Sequence, residues 1–115
     1  MNEMVVVTNR IRVKKGMGAA MAPAFTAPGP LDAFEGFVKT EVWLTQNLTE
    51  YDELNVHMYW RCYDNFKAWR QSDAFRAAHK APEAGGNQED PILGSDIIVY
   101  EVASVREGEH SRQPV

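Results

Sequence analysis

Apolar and polar side chains alternate with a period of two along four stretches of this chain, and between them the spacing widens to that of a helix. Residues 4–13 predict a first strand, closed by Lys14, Lys15 and Gly16. A helix-like stretch opens near Met17, but Pro23 falls inside it and Pro28-Gly29-Pro30 interrupts it again. An interior proline removes a backbone donor and costs about 3 kcal/mol, so this helix is expected to be short or broken. Residues 37–48 predict a second strand, entered through a turn at Glu35-Gly36, and Tyr51-Asp52-Glu53 fits a hairpin loop. Residues 55–61 predict a third strand, in which Val56, Met58 and Trp60 alternate with Asn55, His57, Tyr59 and Arg61. Two helical pieces follow. Asp64 is a candidate cap for residues 65–70, and Ser72 for residues 73–80. Pro82 stops the second piece, Gly85-Gly86-Asn87 opens a polar loop, and residues 97–104 predict a fourth strand.

The order β-α-β-β-α-β is that of an α+β, ferredoxin-like fold: an antiparallel sheet with both helices on one face. The strands carry large apolar residues on both alternating sets. Phe37 and Trp43 are expected to oppose Val38, Val42 and Leu44, while Ile97 and Val99 oppose Ile98, Tyr100 and Val102. One face packs on the helices; the other needs cover, which a second sheet from an identical chain would supply. A homodimer is therefore expected. We read one domain over residues 1–106 and a polar tail over 107–115.

Composition narrows the function by exclusion. The net charge of −4 comes without a basic cluster, which argues against nucleic acid as the main partner. No apolar run approaches the roughly 20 residues of a membrane helix, so no membrane partner is expected. The first residues do not read as a signal peptide, and the single cysteine, Cys62, permits no internal disulfide; both suggest the cytoplasm. Cys62 is read as a small apolar filler. No Gly-rich phosphate loop, G-x-S-x-G or H-E-x-x-H pattern occurs.

Three residues resist a purely architectural reading. On the first strand, Val5, Val7, Asn9, Ile11 and Val13 share one face, and Val6, Thr8, Arg10 and Arg12 the other. Asn9 thus sits among aliphatics, where an unpaired amide is costly. Its partner is either backbone or water, or a ligand. In the second helical piece, Phe75, Ala78 and His79 fall at i, i+3 and i+4 and share a face beside small alanines. His79 is either a core-edge histidine bonded to a carbonyl or a neutral imidazole suited to bind haem iron. Trp69, one turn after Phe66, is either a core aromatic or an indole lying against a planar ligand. His57, on a strand, reads as structural, and His110 in the tail is given no role.

The string from Phe66 to Lys80, with its A-x-W-x-x-S-D-x-F-x-x-A-H-K pattern, closely resembles the second-helix segment of the IsdG/IsdI-type haem-degrading monooxygenases. Asn9-Arg10, Lys15-Gly16, Glu35-Gly36-Phe37, Pro91-Ile92 and Val99-Tyr100 add weaker matches, so that the resemblance spans roughly residues 4–104. It implies a ferredoxin-like homodimer, a dimeric α+β barrel, with one haem per subunit. It implies that Asn9, Trp69 and His79 form the catalytic set: His79 as proximal iron ligand, Asn9 as a hydrogen-bonding group on the distal side where O₂ binds, and Trp69 pressing the macrocycle out of plane. Phe75, with Asn9 and His79, would contact the haem. Haem would be both substrate and cofactor, with electrons from an external donor or reductase, because the chain carries no flavin or nicotinamide motif. The prolines at 23, 28 and 30 depart from the more continuous first helix of that family and put the shape of the pocket in doubt. The rival readings are a cofactor-independent, quinone-forming monooxygenase of the same fold, a non-catalytic haem carrier, and a structural dimer without ligand.

Overall fold

The computed structural model describes residues 4–78 and 91–110. Strand β1 runs Val5–Lys14, and the short helix α1 over Gly18–Met21. Two 3₁₀ turns follow, Ala22–Thr26 and Pro30–Ala33. Then come β2 (Phe37–Leu44), β3 (Tyr51–Trp60), α2 (Tyr63–Arg70), α3 (Asp73–Ala78) and β4 (Ile92–Glu101). The strands form one antiparallel sheet in the order β2-β3-β1-β4, the ferredoxin-like arrangement expected from the element order. The first helix is broken as its prolines require. Pro23 and Pro30 each sit at the start of a 3₁₀ turn, where a missing N–H removes no internal bond.

Several expected boundaries move. The hairpin loop lies before Tyr51, because Tyr51, Asp52 and Glu53 already pair with Lys14, Val13 and Arg12 of β1. Strand β2 accordingly ends at Leu44 and not at residue 48. β4 begins five residues earlier than expected, at Ile92, drawn in by pairing with Val13, and ends at Glu101. Asp64 is not a cap: α2 begins at Tyr63, with Cys62 at the N-cap and no side-chain cap bond. The Cys62 thiol donates to Asn65 Oδ1 at 3.1 Å. Ser72 does cap α3. Its Oγ accepts the Phe75 amide at 3.0 Å and donates to the Trp69 carbonyl at 2.7 Å.

Period-two alternation places the core. Val5, Val7, Ile11 and Val13 are buried and pair with Trp60, Met58, Leu54 and Asp52 of β3. The helices cover this side of the sheet in two separate clusters. Phe66 and Trp69 of α2 pack on Val5, Val7 and Trp60, whereas Met21, Ala22 and Phe25 pack on Ile11, Val13, Leu54 and Val56. Asn9 is the position of β1 between them. The opposite, open side carries Thr8, Arg10 and Arg12 from β1, facing His57, Asn55 and Glu53.

One face assignment on β2 is corrected. The register shifts between Phe37 and Lys39, a β-bulge at Val38. Phe37 therefore lies on the covered side with Val42 and Leu44, against Trp60 at 5.5 Å between rings, while Trp43 lies on the open side against His57. One extra residue reverses every later assignment along a strand. The bulge follows a tight junction: Gly36 has φ +87°, and a Cβ there would overlap the Asn65 side chain. Its carbonyl accepts the Arg61 amide at 2.8 Å, so the entry of β2 is fastened to the entry of α2.

Candidate active site

Between the two core clusters the covered side opens into a cavity of about 980 Å³, near the upper end of the roughly 300–1,000 Å³ range of small-molecule and cofactor sites. Its walls come from three regions. The sheet supplies Val7, Asn9, Val56 and Met58; α2 and α3 supply Phe66, Trp69, Arg70 and Phe75; the broken first-helix segment supplies Phe25, Leu31 and Asp32. That segment turns as 3₁₀ and extended chain, with Met21, Ala22 and Phe25 packed on one cluster of the sheet and Leu31 and Phe34 on the other.

Asn9 is the polar residue that β1 gives the sheet wall, to which β2 adds Lys39 and Thr40. Its neighbours along the strand are Thr8 and Arg10, but on its own side they are Val7 and Ile11, and across the sheet Val56 and Ile97. Its Oδ1 is buried with no hydrogen-bond partner among the described residues. Two other buried side-chain atoms share that condition, His57 Nε2 and Trp60 Nε1. His57 lies on the open side, and Trp60 is ringed by Phe34, Phe37 and Phe66. Of the three, Asn9 alone lines the cavity. An orphaned buried amide costs about 1–3 kcal/mol, a cost a ligand would remove.

Trp69 is both core and wall. It is 3% exposed and is held edge-on by Phe34 (5.4 Å, 71°) and Phe75 (5.7 Å, 85°). Such perpendicular contacts fix the indole plane. The Ser72 hydroxyl, bonded to the Trp69 carbonyl and the Phe75 amide, ties the α2–α3 corner that carries both rings. The structure thus brings Asn9, Trp69 and Phe75 to one cavity. The expected fourth member, His79, lies outside the described residues.

The open side holds a second polar cluster, which reaches the cavity through Lys39. Thr8 Oγ1 and His57 Nδ1 are 2.6 Å apart and both buried. Trp43 lies over His57, with 3.9 Å between ring centres. Glu41 accepts from Lys39 at 2.9 Å, from the Tyr59 hydroxyl at 2.9 Å and from Trp43 Nε1 at 3.1 Å. The bond from Lys39, and then that from Tyr59, holds the Glu41 carboxyl below its usual range. Burial pushes the Tyr59 hydroxyl up and keeps His57 below its ordinary value, so the imidazole is neutral at physiological pH. This is the structural role that the strand position of His57 suggested. At one end of the sheet, Asp52 accepts the Gly18 and Gly16 amides at 2.9 and 3.0 Å, which lowers its carboxyl.

Sequence reasoning missed Arg70 and the contribution of Phe25, Leu31 and Asp32. Arg70 lies four residues after Phe66 and next to Trp69, a helical spacing that could have marked it. The wall from the first-helix segment carries no comparable periodic signal.

The chain matches the antibiotic biosynthesis monooxygenase family over residues 4–81. It is 44% identical over 101 residues to a staphylobilin-producing haem oxygenase of Staphylococcus saprophyticus, covering 88% of this chain and 97% of that one. It is 37% identical over 103 residues to a haem-degrading monooxygenase of Bacillus thuringiensis, covering 90% and 94%. Among solved structures, a Bacillus cereus protein assigned to the antibiotic biosynthesis monooxygenases superposes with a TM-score of 0.77 at 26% identity, over 92% of this chain and 99% of that one. The haem-degrader MhuD of Mycobacterium tuberculosis, solved with two haems in its active site, shares the fold, with a TM-score of 0.57 at 24% identity over 90% of this chain and 99% of that one. With its β2-β3-β1-β4 sheet and its match over most of the chain, this protein belongs to the antibiotic biosynthesis monooxygenase family.

Proposed function

We propose that this protein is a haem-degrading monooxygenase, which takes haem as substrate and cofactor and opens the porphyrin ring with O₂ and electrons from an external donor, releasing iron. The observation that carries the reading is the unpartnered Asn9 amide oxygen in a largely apolar cavity beside a rigidly held Trp69. The cavity fits the group. Its walls are mostly aliphatic and aromatic, as a macrocycle requires, and it offers few polar atoms to compete for the iron. When bound, haem supplies the redox chemistry that activates O₂.

The chain supplies position. Trp69, braced by Phe34 and Phe75, presents a fixed indole against which a flexible ring would bend. Asn9 presents an amide donor and acceptor to the polar reactants in an otherwise dry site, where one well-aimed hydrogen bond has a large effect on reactivity. Phe75 would pack against the haem, and His79, four residues further on in the sequence, would supply the imidazole that holds its iron. The named haem-degrading activities of the relatives from Staphylococcus and Bacillus support the same reading.

The active unit is a homodimer. On the open side Trp43 and Tyr100 are 54% and 47% exposed, and an identical sheet would cover both. No helix among the described residues is long and apolar enough to cross a membrane, and a cytoplasmic enzyme served by a reductase fits the single free cysteine.

Titration with hemin, followed by ascorbate in air, tests the proposal. A Soret band that saturates at one haem per chain and then disappears supports it. A band that persists under reductant favours a haem carrier. No band at all favours the haem-free, quinone-forming chemistry of the same fold. The His79→Ala variant should lose the histidine-ligated spectrum, and an unchanged five-coordinate histidine spectrum would remove His79 from the site.

A further inference from the structure

Two cations line the cavity, Lys39 and Arg70, and they differ in how they are engaged. The Lys39 ammonium is 2.9 Å from Glu41 Oε2 and also lies over the Tyr59 ring, so its charge is already answered. Three more basic side chains near the sheet are paired: Arg10 and Arg12 with Asp96, and Lys15 with Asp52. Arg70 forms no ion pair with any described residue. Its guanidinium lies 5.9 Å from the centre of the Phe66 ring, itself part of the cavity wall, and the side chain is exposed. It therefore stands where the apolar interior meets water, in the last turn of the helix that carries Trp69.

A haem is apolar except for two carboxylates on one edge. Buried in a pocket such as this, it must turn that edge toward solvent. A guanidinium beside an aromatic wall, with no ion pair of its own, keeps its planar fork free for a carboxylate, a geometry an ammonium does not reproduce. The polar counterpart on the opposing first-helix wall is Asp32, a carboxylate that repels the same edge. We infer that Arg70 binds a propionate of the substrate and thereby selects its rotation within the pocket, so that one side of the macrocycle, and not another, comes to Trp69 and Asn9. This rests on the haem reading above and adds a specificity-determining residue to it.

Affinity for hemin and for its dimethyl ester, measured by Soret titration of the full chain at low salt, separates the two claims. The wild type should prefer the free acid by about tenfold, which corresponds to about 1.4 kcal/mol, and the preference should shrink as salt is raised, because the pair is exposed. Arg70→Leu should weaken hemin binding by about the same factor, leave ester binding unchanged and abolish the preference. Arg70→Lys should restore part of it. Under turnover, Arg70→Leu should broaden the mixture of ring-opened isomers. An Arg70→Leu protein with wild-type melting behaviour that still prefers the free acid by the full factor overturns the assignment while leaving the haem reading intact. A wild-type chain that binds neither porphyrin overturns both.

Discussion

Thr8 and Asn9 are adjacent on β1, point to opposite sides of the sheet, and meet opposite circumstances. The Thr8 hydroxyl reaches His57 at 2.6 Å and is buried with it. The Asn9 amide oxygen is buried and reaches nothing among the described residues. On the open side the chain makes most of its own polar contacts, through Thr8 and His57 Nδ1 and through the group of Lys39, Tyr59 and Trp43 around Glu41, and leaves His57 Nε2 without a partner among the described residues, away from the cavity. On the covered side the apolar clusters are well packed to either side of Asn9 and stop short of it. The lesson is one of purpose. A polar residue satisfied within its own chain belongs to the architecture. One left wanting in a cavity is held for something that arrives later, at a standing cost in stability.

The contrast is broken most severely from within the covered core. Trp60 is fully buried, and Trp60→Ala should lose about 3–5 kcal/mol in chemical denaturation. An effect under about 1 kcal/mol would mean that the aromatic cluster is not the keystone of this side. Next is the cavity itself. Asn9→Leu should raise unfolding stability by about 1 kcal/mol, since it removes an unpaired buried amide oxygen. It should also lower the rate of haem loss by on the order of 100-fold. A variant that gains stability and keeps its activity would make Asn9 a mere imperfection. The open side responds differently. Trp43→Ala should leave the fold intact by circular dichroism yet weaken self-association by about tenfold in sedimentation. Unchanged association would show that the sheets do not meet there.

The smallest expected effect is that of pH on the open side. Burial holds His57 below its ordinary value of 6.5 in the folded chain. Below that value the unfolded chain takes up the extra proton more readily, so the contribution to stability is complete above about pH 6.5 and declines as pH falls toward the folded value. Glu41, facing the same ring, opposes the shift and limits it. Melting curves from pH 7.5 down to 5.5 should show the decline in the wild type and a flatter profile in His57→Gln. Equal slopes would place the titration elsewhere.

Much of this is legible in the sequence. Alternation along β1 put Asn9 among valines and isoleucines, and the string around Trp69 and Phe75 put both on one helical corner. Proline chemistry foretold the broken first helix. What escaped was what no local window contains. The bulge at Val38 depends on how β2 meets β3, and it moved Phe37 to the side opposite Trp43. The early starts of β3 and β4 depend on partners in β1 that lie dozens of residues away. Arg70 has the sequence setting of any helix-surface arginine, and only the cavity beside it sets it apart.

Gly36 gives this architecture a gauge. Its backbone sits where the Asn65 side chain leaves no room for a methyl group, at the point where β2 and α2 are fastened together. Any side chain there would lever the helix of Phe66 and Trp69 off the sheet of Val7 and Asn9, and the slot between them would widen at its base. A loose slot grips a flat substrate without bending it. The missing carbon of one turn residue, well away from the reactive groups, thus sets the tolerance to which the pocket is cut.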